Sequence, residues 1–425
     1  MLGKLTQVWK AKDIRKRIFF VLVMLVVFRI AAHIPLPGID GSQLKDFFAS
    51  NQFFGLLNLF SGGGLENFSV VMMGVGPYIT ASIIFQLLVM IVPKFEALQK
   101  EGEAGQQKIN QYTRLLSVPL AMVQSYGFMI LLERQANVNL IGNLSIFERF
   151  VAIIAATAGT VFLMWLGELI TEKKVGNGIS LMIFAGIIAG LPTAVRNTIA
   201  VYDQSQLVNM LIFVAIAIIT VVAIVVITEG QRNIPISYAR QIYGGRSAGG
   251  VNTHLPLRVN QAGVIPIIFA ISIILFPPMI ARFFVFAETA WIANAADFTI
   301  RLFDNSIFYG AFYFLMVFIF TYFYTAVVFK PEQIAENLQK QGGFIPGIRP
   351  GRHTEEYLGK TMGRIILAGA FFLGVIAILP LVIQQIVPIT TLSVGGTSIL
   401  IVVSVVIESV NQIDSQLVMR DYEGF

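Results

Sequence analysis

The 425-residue chain contains no cysteine, only three histidines and few charged residues. The lack of cysteine excludes disulfides, Fe–S clusters, thiolate metal sites and cysteine nucleophiles. Asp, Glu, Lys and Arg make up 13% of the residues, whereas 56% are hydrophobic. Soluble domains carry roughly 25% charged residues. So little charge cannot cover a water-exposed surface, which excludes a soluble enzyme and a disordered protein and leaves a polytopic membrane protein.

Ten apolar stretches are long enough to form membrane-spanning helices, because about 20 helical residues cross the hydrocarbon core. They lie near residues 18–34, 69–93, 115–132, 150–170, 179–195, 207–228, 262–281, 307–329, 364–382 and 390–411. The sequence therefore predicts an all-α membrane protein with ten transmembrane helices.

Lysine and arginine predict the orientation of these helices, because basic residues are enriched in cytoplasmic loops. If the N-terminus is cytoplasmic, the inner segments hold 23 of the 30 basic residues and the outer loops hold six; the remaining one, Arg29, lies in the first span. This bias predicts an even number of crossings, with both termini in the cytoplasm.

Two predicted cytoplasmic loops, residues 229–261 and 330–363, are much longer than a turn requires and are rich in basic residues. Positive charge on the inner side is sufficient to explain any single one of these residues. Loops of this length are more often functional, however, and a basic tip suits an acidic protein surface or ribosomal RNA phosphates. The arginines of these loops include Arg240, Arg246, Arg258, Arg349 and Arg352.

The outer segment Gly55–Val70 is apolar but too short to cross a bilayer. Its apolar residues at helical spacing are Leu56, Leu57, Leu59 and Phe60, and they are followed by Gly62, Gly63 and Gly64. The glycines predict a point that bends easily. From the residues alone, the segment either lies on the membrane surface or re-enters the protein, and both alternatives remain open.

The second and seventh spans each begin with a Gly-Val-x-Pro motif, at Gly74–Pro77 and Gly263–Pro266. These spans occupy corresponding positions in two sets of five. Interrupted helices at corresponding positions are typical of inverted repeats around a central pathway.

The sequence offers little for catalysis or ion coupling. Gly359-Lys360-Thr361 lacks the upstream glycine of a phosphate-binding loop, and no HExxH zinc motif occurs. We therefore predict a protein that is not an enzyme and has no catalytic residue, metal or cofactor, so that a partner supplies the energy. The ionisable residues at membrane depth are Arg29, Glu168 and Glu408. Both glutamates are expected in solvated span ends, which argues against an ion-coupled solute transporter, the alternative function.

Several motifs together resemble the bacterial SecY family, whose members are channel subunits of the general protein translocase. They are RIAAHIPLPGID, GVGPYITASIIFQLL, VGNGISLMIFAGIIAGLP, THLPLRVNQAGVIP, KPEQIAENLQKQGGFIPGIRPG and GGTSILIVVSVVIES. They occur in the family's order over nearly the whole chain. The resemblance implies ten helices in two inverted five-helix halves, residues 1–201 and 202–425, around an hourglass pore with a re-entrant plug helix near 55–67.

The resemblance also implies the residues of the channel. Its pore ring falls on Val75, Ile79, Ile179, Ile183, Ile268 and Ile401. The plug would contain the apolar residues and glycines of the segment that begins at Gly55. Valine at position 75, where isoleucine is usual in the family, should widen the ring slightly. Without the resemblance, ordinary packing of aliphatic side chains would be the preferred interpretation.

In the family, the second, third, seventh and eighth spans form a lateral gate. The polar candidates on those spans are Thr80, Ser82, Gln86 and Ser272, which could instead make ordinary interhelical hydrogen bonds. The implied function is a passive, gated channel of the bacterial inner membrane that translocates unfolded secretory polypeptides and releases membrane segments into the lipid bilayer. The implied partners are SecE, SecG, the ATPase SecA, the ribosome, signal peptides and unfolded polypeptides. The resemblance also implies that the long loops engage SecA or the ribosome, and the candidate partner-binding residues are Arg240, Arg246, Arg258, Arg349 and Arg352.

Overall fold

The structure, a computed structural model, describes residues 7–36, 58, 61–65, 67–135, 145–200, 207–238, 241–243, 246–248, 252–261, 263–285, 289–386 and 396–423. The helices are α1 (Lys12–Ala31), α2 (Gly76–Ile91), α3 (Pro93–Lys100), α4 (Glu103–Gln135), α5 (Ile146–Glu172), α6 (Gly178–Ala200), α7 (Leu207–Glu229), α8 (Ile265–Phe284), α9 (Ala290–Asp304), α10 (Ser306–Val328), α11 (Pro331–Lys340), α12 (Arg352–Ile386) and α13 (Gly396–Glu423). The strands are β1 (Gln231–Tyr238), β2 (Gln241–Tyr243), β3 (Arg246–Ala248), β4 (Asn252–Arg258) and β5 (Gly343–Phe344).

The predicted spans each coincide with one long helix, in the order α1, α2, α4, α5, α6, α7, α8, α10, α12 and α13. Within the described ranges, six of these helices are individually long and apolar enough to cross a membrane, and α2 with α3 forms a seventh candidate. The prediction of a helical membrane protein is therefore confirmed, and the helix bounds agree with the predicted count of ten. The boundary between the predicted halves, at residues 201 and 202, lies outside the described residues.

Both Gly-Val-x-Pro motifs mark the start of a helix with the same local geometry. Gly74 and Gly263 have positive φ angles of 55° and 63°, which glycine adopts without steric cost. Pro77 and Pro266 then lie in the first turns of α2 and α8, where the missing proline N–H leaves no hydrogen bond unmade. The two motifs therefore direct a chain into the membrane in the same way.

The bend between α2 and α3 also follows from a proline. Val92 precedes Pro93 and has an extended backbone, with φ −104° and ψ 112°, as residues before proline prefer. The two helix axes consequently differ in direction by 98°. Helix α3 therefore leaves the direction of α2 and lies outside the predicted spans.

A small β-sheet in the predicted cytoplasmic loops was not expected. Strand β1 pairs antiparallel with β4, with Ile234 opposite Leu255, and also with β5, with Ser237 opposite Phe344. Strands β2 and β3 form a separate antiparallel pair. The sheet joins the two long loops, which the sequence analysis had treated as separate projections.

The second long loop is also shorter than predicted, since α12 already begins at Arg352. Beneath the three-stranded sheet lies an apolar cluster of residues from β1, β4, α12 and the segments next to α11 and β5. Its buried members are Ile234, Leu257, Phe329, Ile345, Leu358, Met362 and Ile366.

The main core is a separate cluster to which α1, α2, α5, α6, α7, α8, α10, α12 and α13 contribute. Outside it, large apolar side chains cover the surface, as on α7, where Leu211, Ile218 and Ile219 are all at least 60% exposed. A lipid environment requires this arrangement, because helices satisfy their polar backbone groups internally and apolar side chains face the lipid.

Candidate functional site

Five of the six aliphatic residues implied as the pore ring lie in the main core cluster, and the sixth, Ile179, packs against it. Val75 caps the start of α2 and Ile79 follows one turn later, while Ile179 and Ile183 form an equivalent pair on α6. Residues four apart lie on one face of a helix, so each pair points in a single direction.

The burial of these residues is similar, although they come from four helices. Five of the six, Val75, Ile79, Ile183, Ile268 and Ile401, are at most 4% exposed, and Ile179 is partly buried against the same cluster. The cluster also contains residues such as Leu163 and Ile170 that pack α5. Membership in the cluster is therefore shared with ordinary core residues, and the ring assignment stays a prediction.

The described part of the predicted plug lies inside the protein rather than on its surface. Ser61 and Leu65 are each 2% exposed, and the Ser61 hydroxyl accepts a hydrogen bond from the Leu65 N–H at 2.9 Å. The structure therefore agrees with re-entry for this part of the segment. Leu56, Leu57, Leu59 and Phe60, the apolar residues of the predicted plug helix, lie outside the described residues.

Gly62 of the predicted plug is required by close packing, and Gly63 is favoured by its positive φ angle. Gly62 has a φ of +63°, and a Cβ placed on it would lie 2.2 Å from Cζ of Phe28 on α1. On its other side, a Cβ placed on Gly186 of α6 would lie 2.4 Å from the Gly62 Cα. Gly63 has a φ of +82°. The segment thus fits between α1 and α6 only because side chains are absent, and the hinge role of the glycines stays a prediction.

Polar contacts hold the same segment to the end of α1. The Arg29 guanidinium donates a hydrogen bond to the Gly62 carbonyl, and the Asn67 side-chain amide donates to the Ala32 carbonyl, at the end of α1, at 3.4 Å. A backbone hydrogen bond from the Val70 N–H to the Ile34 carbonyl, at 2.9 Å, continues this attachment. Arg29 therefore faces the protein interior, which was one of the two placements that its sequence position allowed.

The helices of the predicted lateral gate are neighbours in the structure. Helix α8 contacts α2 and α4 on one side and α10 on the other. Between α8 and α10, Phe269 packs edge-to-face against Phe320 and Tyr324, with ring centroids 6.2 and 6.0 Å apart. The predicted gate would then open between α8 and the pair α2 and α4, and the gate itself stays a prediction.

The polar gate candidates bond within their own helices. Thr80 Oγ1 donates to the Gly76 carbonyl at 3.1 Å, and Ser272 Oγ donates to the Ile268 carbonyl at 2.8 Å. Gln86 Nε2 donates to Ser82 Oγ, one turn earlier, at 3.2 Å. These bonds are not the interhelical ones considered as the alternative, and they leave the role in the gate as a prediction.

A contact that sequence reasoning missed joins the two sides of the predicted gate. The Lys330 ammonium, just before α11, donates a hydrogen bond of 3.0 Å to Gln99 Oε1 on α3. Lys100, by a hydrogen bond and its charge, lowers the pKa of Glu96, and Lys330 contributes to the same shift. We call Glu96, Gln99, Lys100 and Lys330 the cytoplasmic clasp.

Where they are described, the predicted partner-binding arginines lie on the two joined loops that are predicted to be cytoplasmic. Arg258 ends β4 opposite Gln231 and is exposed. Arg349 is exposed in the turn between β5 and α12, where its carbonyl accepts a 3.0 Å hydrogen bond from Thr354 Oγ1. Arg352 is the first residue of α12 and lies 3.8 Å from Glu356, as measured from Nε to Oε1. Arg240 lies outside the described residues, as does the side chain of Arg246, whose backbone is in β3.

Glu168, which was expected in a solvated span end, is only partly exposed. Its side chain is 22% exposed and forms an ion pair with Arg114 Nε of α4 at 2.6 Å. Charge pairing explains the difference, because an arginine on the neighbouring helix allows a carboxylate to be partly buried. Glu408 is partly buried on α13 and accepts a 3.3 Å hydrogen bond from Gln412.

Comparison with known proteins gives matches over most of the chain. The sequence profile of the SecY family matches residues 69–410. The protein translocase subunit SecY of Corynebacterium glutamicum is 43% identical over 442 aligned positions, which cover 100% of this chain and 99% of that protein.

Solved structures show the same fold. One, described as the structure of a protein conducting channel, has a TM-score of 0.65 and 19% identity, covering 93% of this chain and 90% of that chain. Sec61 in the canine ribosome–channel complex has a TM-score of 0.62 at the same identity and coverage. The chain therefore belongs to the SecY family and has the fold of a protein-conducting channel.

Proposed function

We propose that this chain is the gated channel through which unfolded secretory polypeptides cross the bacterial inner membrane. The observation that carries the proposal is the meeting of Val75, Ile183, Ile268 and Ile401, from four helices, in one buried cluster next to a re-entrant segment. Aliphatic side chains bind no ion and exclude water by dewetting. They also deform around a chain of any sequence, so a ring of them can seal the pore at rest and pass many substrates.

The segment around Gly62 and Gly63 acts as the plug of the resting channel. Its support is the close fit between Phe28 on α1 and Gly186 on α6, together with the hydrogen bond from Arg29. Few side chains hold it, so an entering polypeptide can displace it without unfolding a helix.

Apolar segments of a substrate leave the channel sideways between α8 and the pair α2 and α4. The support for this lateral gate is the contact of α8 with both helices, with Thr80, Ser82, Gln86 and Ser272 as candidate polar residues near it. Because their hydrogen bonds lie within single helices, separating the helices breaks none of those bonds.

The energy comes from partners, either the ATPase SecA or a translating ribosome, while SecE and SecG accompany the channel in the membrane. Arg349 is exposed at a turn of the cytoplasmic surface and Arg258 lies on the same joined loops. Arg240, Arg246 and Arg352 belong to the proposed contact by sequence position. Both termini lie in the cytoplasm under this topology, and the chain itself performs no covalent chemistry.

The direct test is polypeptide transport by vesicles containing this chain with SecE and SecG. With SecA and ATP added, a signal-bearing substrate should become protected from external protease, and omitting ATP should abolish the protection. Uptake of a small solute by vesicles of the chain alone, with no protected substrate, would instead establish the ion-coupled transporter. The pairing of Glu168 with Arg114 argues against that alternative, because a paired carboxylate is a poor proton carrier.

A further inference from the structure

Helix α9 connects two membrane helices but is too short to be one itself. Its 15 residues span about 22 Å, less than the roughly 30 Å of a bilayer core. Only Asn305 separates α9 from α10. The Asn305 side chain accepts hydrogen bonds from the backbone N–H groups of Ile307 and Phe308, in the first turn of α10. Helix α9 is thereby held at the end of a membrane-spanning helix.

One face of α9 packs against the protein. Phe303 is partly buried against the main core and contacts Phe308 and Phe312 of α10 edge-to-face, with centroids 5.5 and 5.6 Å apart. Ala296, two turns earlier on the same side, is 5% exposed. These contacts fix the rotation of α9 about its own axis.

A second face is polar. Arg301 Nη2 and Asp297 Oδ2 form an ion pair at 2.7 Å, and the Arg301 side chain is 79% exposed. Asn294 and Asp304 lie on the same side and are also exposed. This face is suited to water.

The third face is apolar, and among the residues that the structure describes none covers Trp291 or Phe298. Trp291 is 71% exposed and Phe298 is 66% exposed. Successive helical residues differ by about 100°, so Trp291, Phe298 and Leu302 lie within about 40° of one another. The apolar, polar and packed faces are then roughly a third of a turn apart.

We propose that α9 is an interfacial helix, which lies in the headgroup region of the bilayer with Trp291 and Phe298 inserted toward the acyl chains. The occupant of the apolar face is lipid, because the neighbouring helices α8 and α10 are both long and apolar enough to cross the membrane and therefore hold α9 beside it. The exposed apolar surface continues into α10 at Ile307, which is 77% exposed. Aromatic residues are enriched at this depth, and amphipathic helices insert by about 5–10 Å.

The chain permits a fluorescence test, because it contains only three tryptophans, Trp9, Trp165 and Trp291. The double variant Trp9→Phe/Trp165→Phe leaves Trp291 as the reporter. The full-length variant, with any subunits that co-purify, is placed in phosphatidylcholine vesicles whose acyl chains carry nitroxide quenchers near the headgroup or near the bilayer centre. We expect at least twofold stronger quenching by the shallow label than by the deep one, and little quenching by aqueous acrylamide.

A control on the same helix is a tryptophan on the polar face. In a variant without the three native tryptophans, Asn294→Trp should be quenched by acrylamide and not by either lipid label. Protection of Trp291 from all three quenchers would show that another protein chain covers the face and would overturn the proposal. Equal acrylamide quenching of the reporters at 291 and 294 would also overturn it, because α9 would then project into water.

Discussion

The guanidinium of Arg29, near the end of α1, donates a hydrogen bond to the backbone carbonyl of Gly62 in the re-entrant segment. This contact joins a charged side chain of α1 to the backbone of the segment proposed as the plug. The Gly63 Cβ position would also lie 3.6 Å from the same Nη1 atom. Because the acceptor is a main-chain carbonyl, the contact depends on the backbone conformation of the segment and not on a particular side chain.

Arg29→Met should loosen the plug. A hydrogen bond to a charged group contributes about 1.5–3 kcal/mol, so its loss should shift the equilibrium toward the displaced plug by roughly 10- to 150-fold. The measurement is ion conductance of the resting channel in planar bilayers, which should rise. Arg29→Lys keeps a charge and a donor and should restore much of the seal. Equal, low conductance in both variants would show that Arg29 does not hold the plug.

Ile268→Asn should make the resting channel leak ions and relax the requirement for a signal sequence. An amide in the ring binds water, which removes the dewetting that seals an aliphatic pore. Conductance and export of a substrate with a defective signal sequence measure the two effects, and Ile183→Asn should behave alike.

Ile267→Asn is the matched control for the ring. Ile267 is next to Ile268 on α8, is 0% exposed and belongs to the same cluster, but it points about 100° away. An asparagine there should destabilise the fold by roughly 1–3 kcal/mol, because it buries an unpaired amide. The amount of folded protein should therefore fall, without an increase in conductance per channel. If both variants leak equally, the effect is loss of packing and the ring assignment fails.

The cytoplasmic clasp can be tested by cross-linking because the chain has no native cysteine. In Gln99→Cys/Lys330→Cys, a short thiol-reactive cross-linker should join α3 to the start of α11 across the predicted gate. We expect the link to reduce lateral release of an apolar segment into lipid at least fivefold, since α8 and α10 can no longer move away from α2. Either single-cysteine variant should be unaffected by the reagent. If the cross-linked protein still releases apolar segments into lipid at the normal rate, the lateral exit does not lie between these helices.

Arg349→Glu should impair translocation driven by SecA while leaving the amount of membrane-inserted protein unchanged. The side chain is exposed in a turn, so a charge reversal there alters the proposed partner-binding surface and removes no core contact. Lys340→Glu is the control, because Lys340 is also an exposed cytoplasmic cation, 2.7 Å from Glu336 on α11. If both variants export the substrate at the same rate, Arg349 contributes to membrane topology only and does not contact a partner.

The membrane helices were predictable because each leaves a local signal of about 20 apolar residues. The same holds for the starts of α2 and α8, where Gly74 and Gly263 precede a proline in the first turn. The residues of the ring and plug came from the family resemblance, since one aliphatic side chain in a membrane helix looks like any other.

Contacts between distant segments could not be predicted from local patterns. Lys330 and Gln99 are 231 residues apart, and β5, with two residues, is too short to show an alternation. A weak signal for β1 was present in the alternation of Ile234 and Ile236 with polar or proline neighbours, but the strand pairs with β4 and β5 rather than with a membrane element. Glu168 likewise depends on Arg114, which is supplied by another helix.

Gly186→Ala should displace the plug without disturbing α6. Alanine favours a helix over glycine, but its Cβ would lie 2.4 Å from the Gly62 Cα, which is backbone and cannot rotate away. Overpacking of this kind costs about 1–3 kcal/mol, enough to raise resting conductance several-fold or more. Gly190→Ala, one turn further on α6, has no atom within 4 Å of its Cβ position and should leave conductance at the wild-type level. A tight seal in Gly186→Ala would mean that the segment does not rest on α6.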